Sequence, residues 1–173
     1  SNTEQGKQRL WFTLNRERYT NDNYRSELIG KVSGVNYEMA YGVQYNADFT
    51  LILPDDWEAD NLHEIIFQIH HVPDIAEENQ PGQAPFSIRV TDNNIYLQYC
   101  YSTAGTSWSG NNQVCITSDQ LAQARAGSSY RFHLELTFSR GILGVGRIRA
   151  VIDDVLKFSY DGPFCYDDLV GVN

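Results

Sequence analysis

Between residues 130 and 138 the chain alternates without a break: Phe132, Leu134, Leu136 and Phe138 on one parity, Arg131, His133, Glu135 and Thr137 on the other. Successive side chains of a strand point to opposite faces, so this segment reads as a strand with one buried and one solvated face. Its apolar face must be covered by another layer. The rest of the chain supplies that layer as more strands. Strand signals recur roughly every ten residues between turn signals, a spacing that favours a sandwich over a βαβ protein.

The expected strands cover residues 9–14, 24–29, 41–53, 64–72, 86–90, 95–101, 130–139, 146–152 and 156–160. Asn21-Asp22-Asn23, Pro54-Asp55-Asp56, Asp92-Asn93-Asn94 and Asp161-Gly162-Pro163 supply turns, and the third of these reads as a hairpin. Gly141 and Gly144 divide the 130–139 and 146–152 strands. Residues 74–84 and 102–112 read as polar loops. Residues 118–126 alone look helical, with Ser118 as N-cap. No repeat, linker or low-complexity block interrupts the pattern. The expectation is one all-β domain over residues 1–173, a sandwich of two antiparallel sheets.

Composition narrows the function classes. The chain has 173 residues and a formal charge of −9, with 13 basic against 22 acidic side chains. That balance argues against a general nucleic-acid binder, which carries a basic face. With 20% charged and 13% aromatic residues the chain is too apolar for disorder. No apolar run is long enough for a membrane-spanning helix. Eleven tyrosines and three tryptophans suit a protein that handles sugars. The start at Ser1-Asn2-Thr3 fits either a removed leader or a tag scar. Of three cysteines, Cys100 and Cys115 flank a turn-rich stretch and would pair across a hairpin, leaving Cys165 free; three reduced thiols are the alternative.

Ten of the 13 basic residues are arginines, and Arg25, Arg89, Arg147 and Arg149 fall on polar strand faces. A guanidinium fork suits planar carboxylates, so these residues are candidates to line an anion-binding groove with Glu27 and Tyr96. The plainer reading pairs them with surface carboxylates. Gln68 and His70, two apart on one strand, project side by side, with Ile66 expected on the same face. An imidazole can take a proton while an amide and an arginine hold a carboxylate, which is the equipment for abstracting a proton alpha to that carboxylate. His71 points the other way, and His63 and His133 have no companions in the sequence.

Arg25-Ser26-Glu27-Leu28 and Gln68-Ile69-His70 resemble two of the three signature motifs of family-seven alginate lyases. Tyr41-Gly42-Val43, Leu53-Pro54-Asp55-Asp56-Trp57, Asp161-Gly162-Pro163 and Tyr166-Asp167-Asp168 are similar to the heparin-lyase-I and glucuronan-lyase group. The resemblance spans roughly residues 10–172. It implies a concanavalin-like β-jelly-roll and β-elimination of an anionic, uronic-acid-containing polysaccharide. Arg25 and Gln68 would neutralise the uronate carboxylate, and His70 would stand near C5 as base or second neutralising group. A tyrosine would serve as general acid, and Tyr96, Tyr160 and Tyr166 are available; Tyr166 is the one carried forward. The late Tyr-Phe-Lys-x-Gly-x-Tyr strand that usually supplies it would begin near Gly171-Val172-Asn173; a truncated chain is the favoured explanation, against a different tyrosine in the role or a protein without lyase activity.

Competing chemistries find less support. A jelly-roll glycoside hydrolase needs two carboxylates flanking the bond, and the Gln68 strand offers only Glu64. His70 and His71 diverge, which makes a poor zinc site. Asp153-Asp154 and Asp167-Asp168 would suit a structural calcium, but solvated turn acids are the simpler reading. The expectation is a secreted or periplasmic monomeric lyase needing no cofactor, with no nucleic-acid or membrane partner. A non-catalytic carbohydrate-binding jelly roll is the alternative.

Overall fold

The structure, a computed structural model, describes residues 39–59, 61, 63–69, 84–103 and 112–166, together with four two-residue strands nearer the N-terminus. The chain divides into two units, Ser1–Tyr37 and Glu38–Asn173. In the first, β1 (Thr3–Glu4) pairs antiparallel with β2 (Lys7–Gln8), and β3 (Lys31–Val32) with β4 (Val35–Asn36). The strands expected at 9–14 and 24–29 lie outside the described residues, and so do Arg25 and Glu27.

The second unit holds the sandwich. Its back sheet runs β5 (Gln44–Ile52), β11 (Ser129–Thr137), β12 (Gly146–Ile152), β13 (Val155–Gly162), all antiparallel. Its front sheet places β6 (Glu64–Ile69) beside β7 (Phe86–Thr91) and β7 beside β8 (Asn94–Ser102). The far edge of β8 is shared by β9 (Gln113–Thr117) and β10 (Ala122–Gln123). The alternation of β11 is realised in full: Phe132, Leu134 and Leu136 are buried while Arg131, His133 and Glu135 face away from the core.

Apolar faces of both sheets close on one core. Phe49 of β5 lies stacked between Phe132 of its own sheet and Phe67 of the front sheet, with ring centroids 4.8 and 5.2 Å away. Tyr99 on β8 meets Tyr160 on β13 at 4.5 Å. Burial pushes the Tyr99 phenol up to about 12, so it stays protonated at any ordinary pH. Past β13 the chain crosses back to the front sheet. Ser139 Oγ donates to Phe164 O at 3.0 Å, and Cys165 bridges to Tyr101 in parallel, its N–H donating to Cys100 O at 2.9 Å.

Residues 118–126 are not helical, contrary to the sequence expectation. Their backbone instead runs along β8: Ser118 N–H donates to Leu97 O, Leu121 N–H to Ile95 O and Ala124 N–H to Asn93 O. Leu121 and Ala124 are buried, so an open strand edge and an unfilled core position outweigh local propensity. Neither β9 nor β10 is among the expected strands. The 92–93 turn does join β7 to β8, with Asp92 at φ 52°.

Candidate functional site

Strand parity and one irregularity build the outward face of the front sheet. On β7, Phe86, Ile88 and Val90 are buried in the core, which turns Ser87, Arg89 and Thr91 the other way. On β8 the same count turns Tyr96 and Gln98 outward between Ile95, Leu97 and Tyr99. A bulge on β6 sits between Ile65, opposite Arg89, and Phe67, opposite Ile88. The extra residue resets the parity, so Phe67 enters the core and Gln68 stands outward, opposite Ser87. Ile66, expected beside Gln68, packs against the core instead.

Gln68, Ser87, Gln98 and Thr117 are therefore successive cross-strand neighbours, a polar row over four strands. Gln98 Oε1 is buried and has no hydrogen-bond partner among the described residues. Arg89 and Tyr96 form the next pair along β7 and β8. Arg89 Nε donates to the Ser87 hydroxyl at 2.9 Å, and Ser87 is fully buried beneath it. Among the described residues no carboxylate pairs with this guanidinium. Burial pulls the Arg89 guanidinium below its ordinary range, with the neighbouring Tyr96 opposing the shift.

Beyond that pair the face ends in a triangle of polar atoms. His63 Nδ1 lies 2.7 Å from Thr91 Oγ1 and 2.8 Å from Tyr96 Oη, and the two oxygens are 2.9 Å apart. His63 thus has the companions its sequence neighbourhood did not reveal. They stand 28 and 33 residues away and meet it only through the β6–β7–β8 pairing. Beside the triangle, Thr91, Asp92, Asn94, Tyr96, Thr117 and Ser118 help line an open depression of about 400 Å³.

At the opposite end of the face Cys100 and Cys115 are joined by a disulfide, and Cys165 is a buried free thiol. Gln113 Nε2 donates to Tyr166 Oη, and Tyr41 Oη donates to Tyr166 O at 2.8 Å. Tyr166 is completely buried, its hydroxyl engaged by Gln113 rather than open to a groove. Tyr160 packs between the sheets and donates to Pro163 O at 3.1 Å. Of the three tyrosines considered as acids, Tyr96 is the one on the outward front face.

Arg147 and Arg149 are not brought together with Gln68 and Arg89. They project from the back sheet, where Arg147 Nε and Arg149 Nη2 donate to Asp161 at 3.0 and 2.7 Å. Those hydrogen bonds, Arg149's first, hold the Asp161 carboxyl below its usual range. A polar strand face read from sequence does not disclose which sheet it belongs to. Asp153 and Asp154, at φ 50° and 64°, make the tight β12–β13 turn, and Arg131 Nη2 donates to Asp154 at 2.7 Å. Among the described residues no three His, Cys, Asp or Glu side chains converge as a metal site, and no helix is long and apolar enough to cross a membrane. His70 and the pair Asp167-Asp168 lie outside the described residues.

Two antiparallel sheets closing on one core, with a polar face turned outward from one of them, have the architecture of a β-jelly-roll. Residues 2–169 match the polysaccharide lyase family, and the chain belongs to it. Its fold is similar to the crystal structure of an endo-beta-1,4-glucuronan lyase from the fungus Trichoderma reesei, with a TM-score of 0.64 at 18% identity. That likeness covers 76% of this chain and 55% of the other, so the chain spans about half the length of that structure. No curated protein sequence matches significantly.

Proposed function

We propose that the outward face of the front sheet binds a uronic-acid-containing polysaccharide and that the protein cleaves it by β-elimination. The observation that carries this reading is Arg89: a half-buried guanidinium with no carboxylate partner among the described residues, beside the Gln68–Ser87–Gln98 row. A uronate carboxylate supplies the missing anion, and a charge-assisted hydrogen bond in a desolvated setting is strong. Gln68 and Arg25 hold the carboxylate of the reacting ring. With its charge neutralised, the C5 proton becomes acidic enough for His70 to remove, and the leaving oxygen at C4 departs with a proton from an acid. Gln98 Oε1 gains a donor if a sugar hydroxyl reaches it. The polar row and the Arg89–Tyr96 pair contain no carboxylate, which disfavours hydrolysis, a reaction that needs two. The glucuronan lyase fold likeness and the family membership support the same reaction, and the disulfide fits an oxidising, extracellular setting.

Tyr166 favours a second reading. Because its hydroxyl is buried against Gln113, it does not offer a proton to a groove-bound glycosidic oxygen, and a face that binds without cleaving is a carbohydrate-binding module. The two readings separate on His70→Ala and Gln68→Ala. In a lyase, His70→Ala abolishes turnover while leaving most of the polymer binding, and Gln68→Ala weakens both. If neither variant alters binding or turnover, the site lies elsewhere.

A further inference from the structure

The steps proposed above do not call on the His63–Thr91–Tyr96 triangle, and it is built with more hydrogen-bond capacity than it spends internally. His63 Nδ1, Thr91 Oγ1 and Tyr96 Oη are mutually within 2.9 Å. Two hydroxyls and one imidazole N–H bring three hydrogens to this cluster. If Nδ1 is the acceptor, Tyr96 donates to it and Thr91 donates to Tyr96, which leaves the Nε2 hydrogen unspent. If Nδ1 carries the proton, at least one hydroxyl hydrogen is left over instead. Either tautomer leaves one donor for a ligand.

The position of the triangle says which part of a ligand it meets. Tyr96 is the cross-strand partner of Arg89, and Gln68 lies two strands over and two residues along. Strand spacing and rise make that separation roughly 12 Å, about two repeats of a pyranose chain, so that occupying both ends takes at least three linked rings. Between them lies Arg89, the cation without an acid partner. Past Tyr96 the open depression of about 400 Å³ begins. Asp92 and Asn94 on its wall would accept from sugar hydroxyls, while the Asp92 charge would turn a carboxylate away from that side and towards Arg89.

We infer that His63, Thr91 and Tyr96, together with Arg89, form a distal subsite that holds a second uronate ring, about two rings away from the one at Gln68. This rests on the reading of the front face as a uronan groove. The ring sits with its carboxylate toward Arg89 and its hydroxyls toward the triangle and Asp92. The subsite rewards chain length: a polymer or long oligomer spans Gln68 and Tyr96 at once, and a dimer does not.

Titration calorimetry with saturated oligoglucuronates and oligomannuronates of two and six rings tests this on the whole chain. The wild type should bind the six-ring oligomer of one series at least about tenfold more tightly than the dimer, as one or two added hydrogen bonds to charged groups would give. In Tyr96→Phe, which deletes one hydroxyl and keeps the ring, and in His63→Ala, that ratio should fall several-fold towards one. Reducing the carboxyl groups of the six-ring oligomer should likewise erase the advantage. A wild-type ratio near one, or a ratio that both variants leave intact, overturns the subsite. If the wild type binds no uronate oligomer of either length, the uronan groove itself falls, and the subsite with it.

Discussion

Arg89 Nε reaches back along its own strand to the hydroxyl of Ser87, 2.9 Å away and fully buried. The contact fixes the guanidinium over the front sheet and leaves its terminal nitrogens to other partners. Other arginines of this chain resolve the same problem with an acid: Arg131 pairs with Asp153 and Asp154, and Arg147 and Arg149 share Asp161. Placing an unpaired cation in a partly desolvated position costs folding free energy. On the proposed function, a uronate carboxylate would offset that cost.

Arg89→Ala should weaken binding of a uronate polymer by about ten- to a hundredfold, the worth of one charge-assisted hydrogen-bonded contact. Arg89→Lys should recover only part of this, because an ammonium lacks the two-pronged fork. The melting temperature of Arg89→Ala should hold or rise, since a partly desolvated cation is removed and no ion pair among the described residues is lost. Arg131→Ala, on the back sheet, removes the same charge and serves as the control. Equal losses in the Arg89 and Arg131 variants would assign the effect to overall charge rather than to the groove.

The disulfide makes a prediction about the frame of the site. Cys100 and Cys115 close a loop across a separation of 15 residues. Replacing both with serine should cost about 3 kcal/mol by loop entropy. In a unit of this size that lowers the melting temperature by about 6–12 °C. β9 carries Thr117 and Gln113 at the two ends of the polar face, so binding should fall along with stability. A reduced and an oxidised sample melting at the same temperature would contradict this.

On the back sheet His133 Nδ1 lies 2.8 Å from Asp48, and that hydrogen bond, ahead of the other influences, raises the imidazole pKa. A raised folded-state value stabilises the fold fully below the unfolded pKa of about 6.5, and the gain is lost as pH rises through the folded value. Asp48→Asn should therefore lower the melting temperature more at pH 5.5 than at pH 8. The difference is small, below about 1 kcal/mol, because the pair is exposed. A penalty that is the same at both pH values would show that His133 does not gain its proton from this partner.

Much of this architecture is legible in the sequence where burial is one-sided. The alternation at β11, the Asp92-Asn93 hairpin and the 146–152 strand all follow from period-two patterning and turn chemistry. The site is legible only in part. Gln68 and Arg89 can be picked out by parity, but the β6 bulge that aims Gln68 leaves no mark in the alternation. Ile66 consequently changes face. Arg147 and Arg149 have the same local pattern as Arg89, and only the sheet pairing separates them. His63 finds Thr91 and Tyr96 through contacts between distant segments, which a linear reading does not contain. Residues 118–126 carry helical propensity, and the free edge of β8 overrides it.

The most direct test mixes the protein with alginate, glucuronan, heparin and hyaluronan and follows ultraviolet absorbance. Beta-elimination leaves a conjugated C4–C5 double bond that hydrolysis does not produce. A rise is expected with at least one of these uronans and none with a carboxyl-reduced form of the same polymer. Binding of that polymer with a flat trace, or the release of saturated sugars, would contradict it.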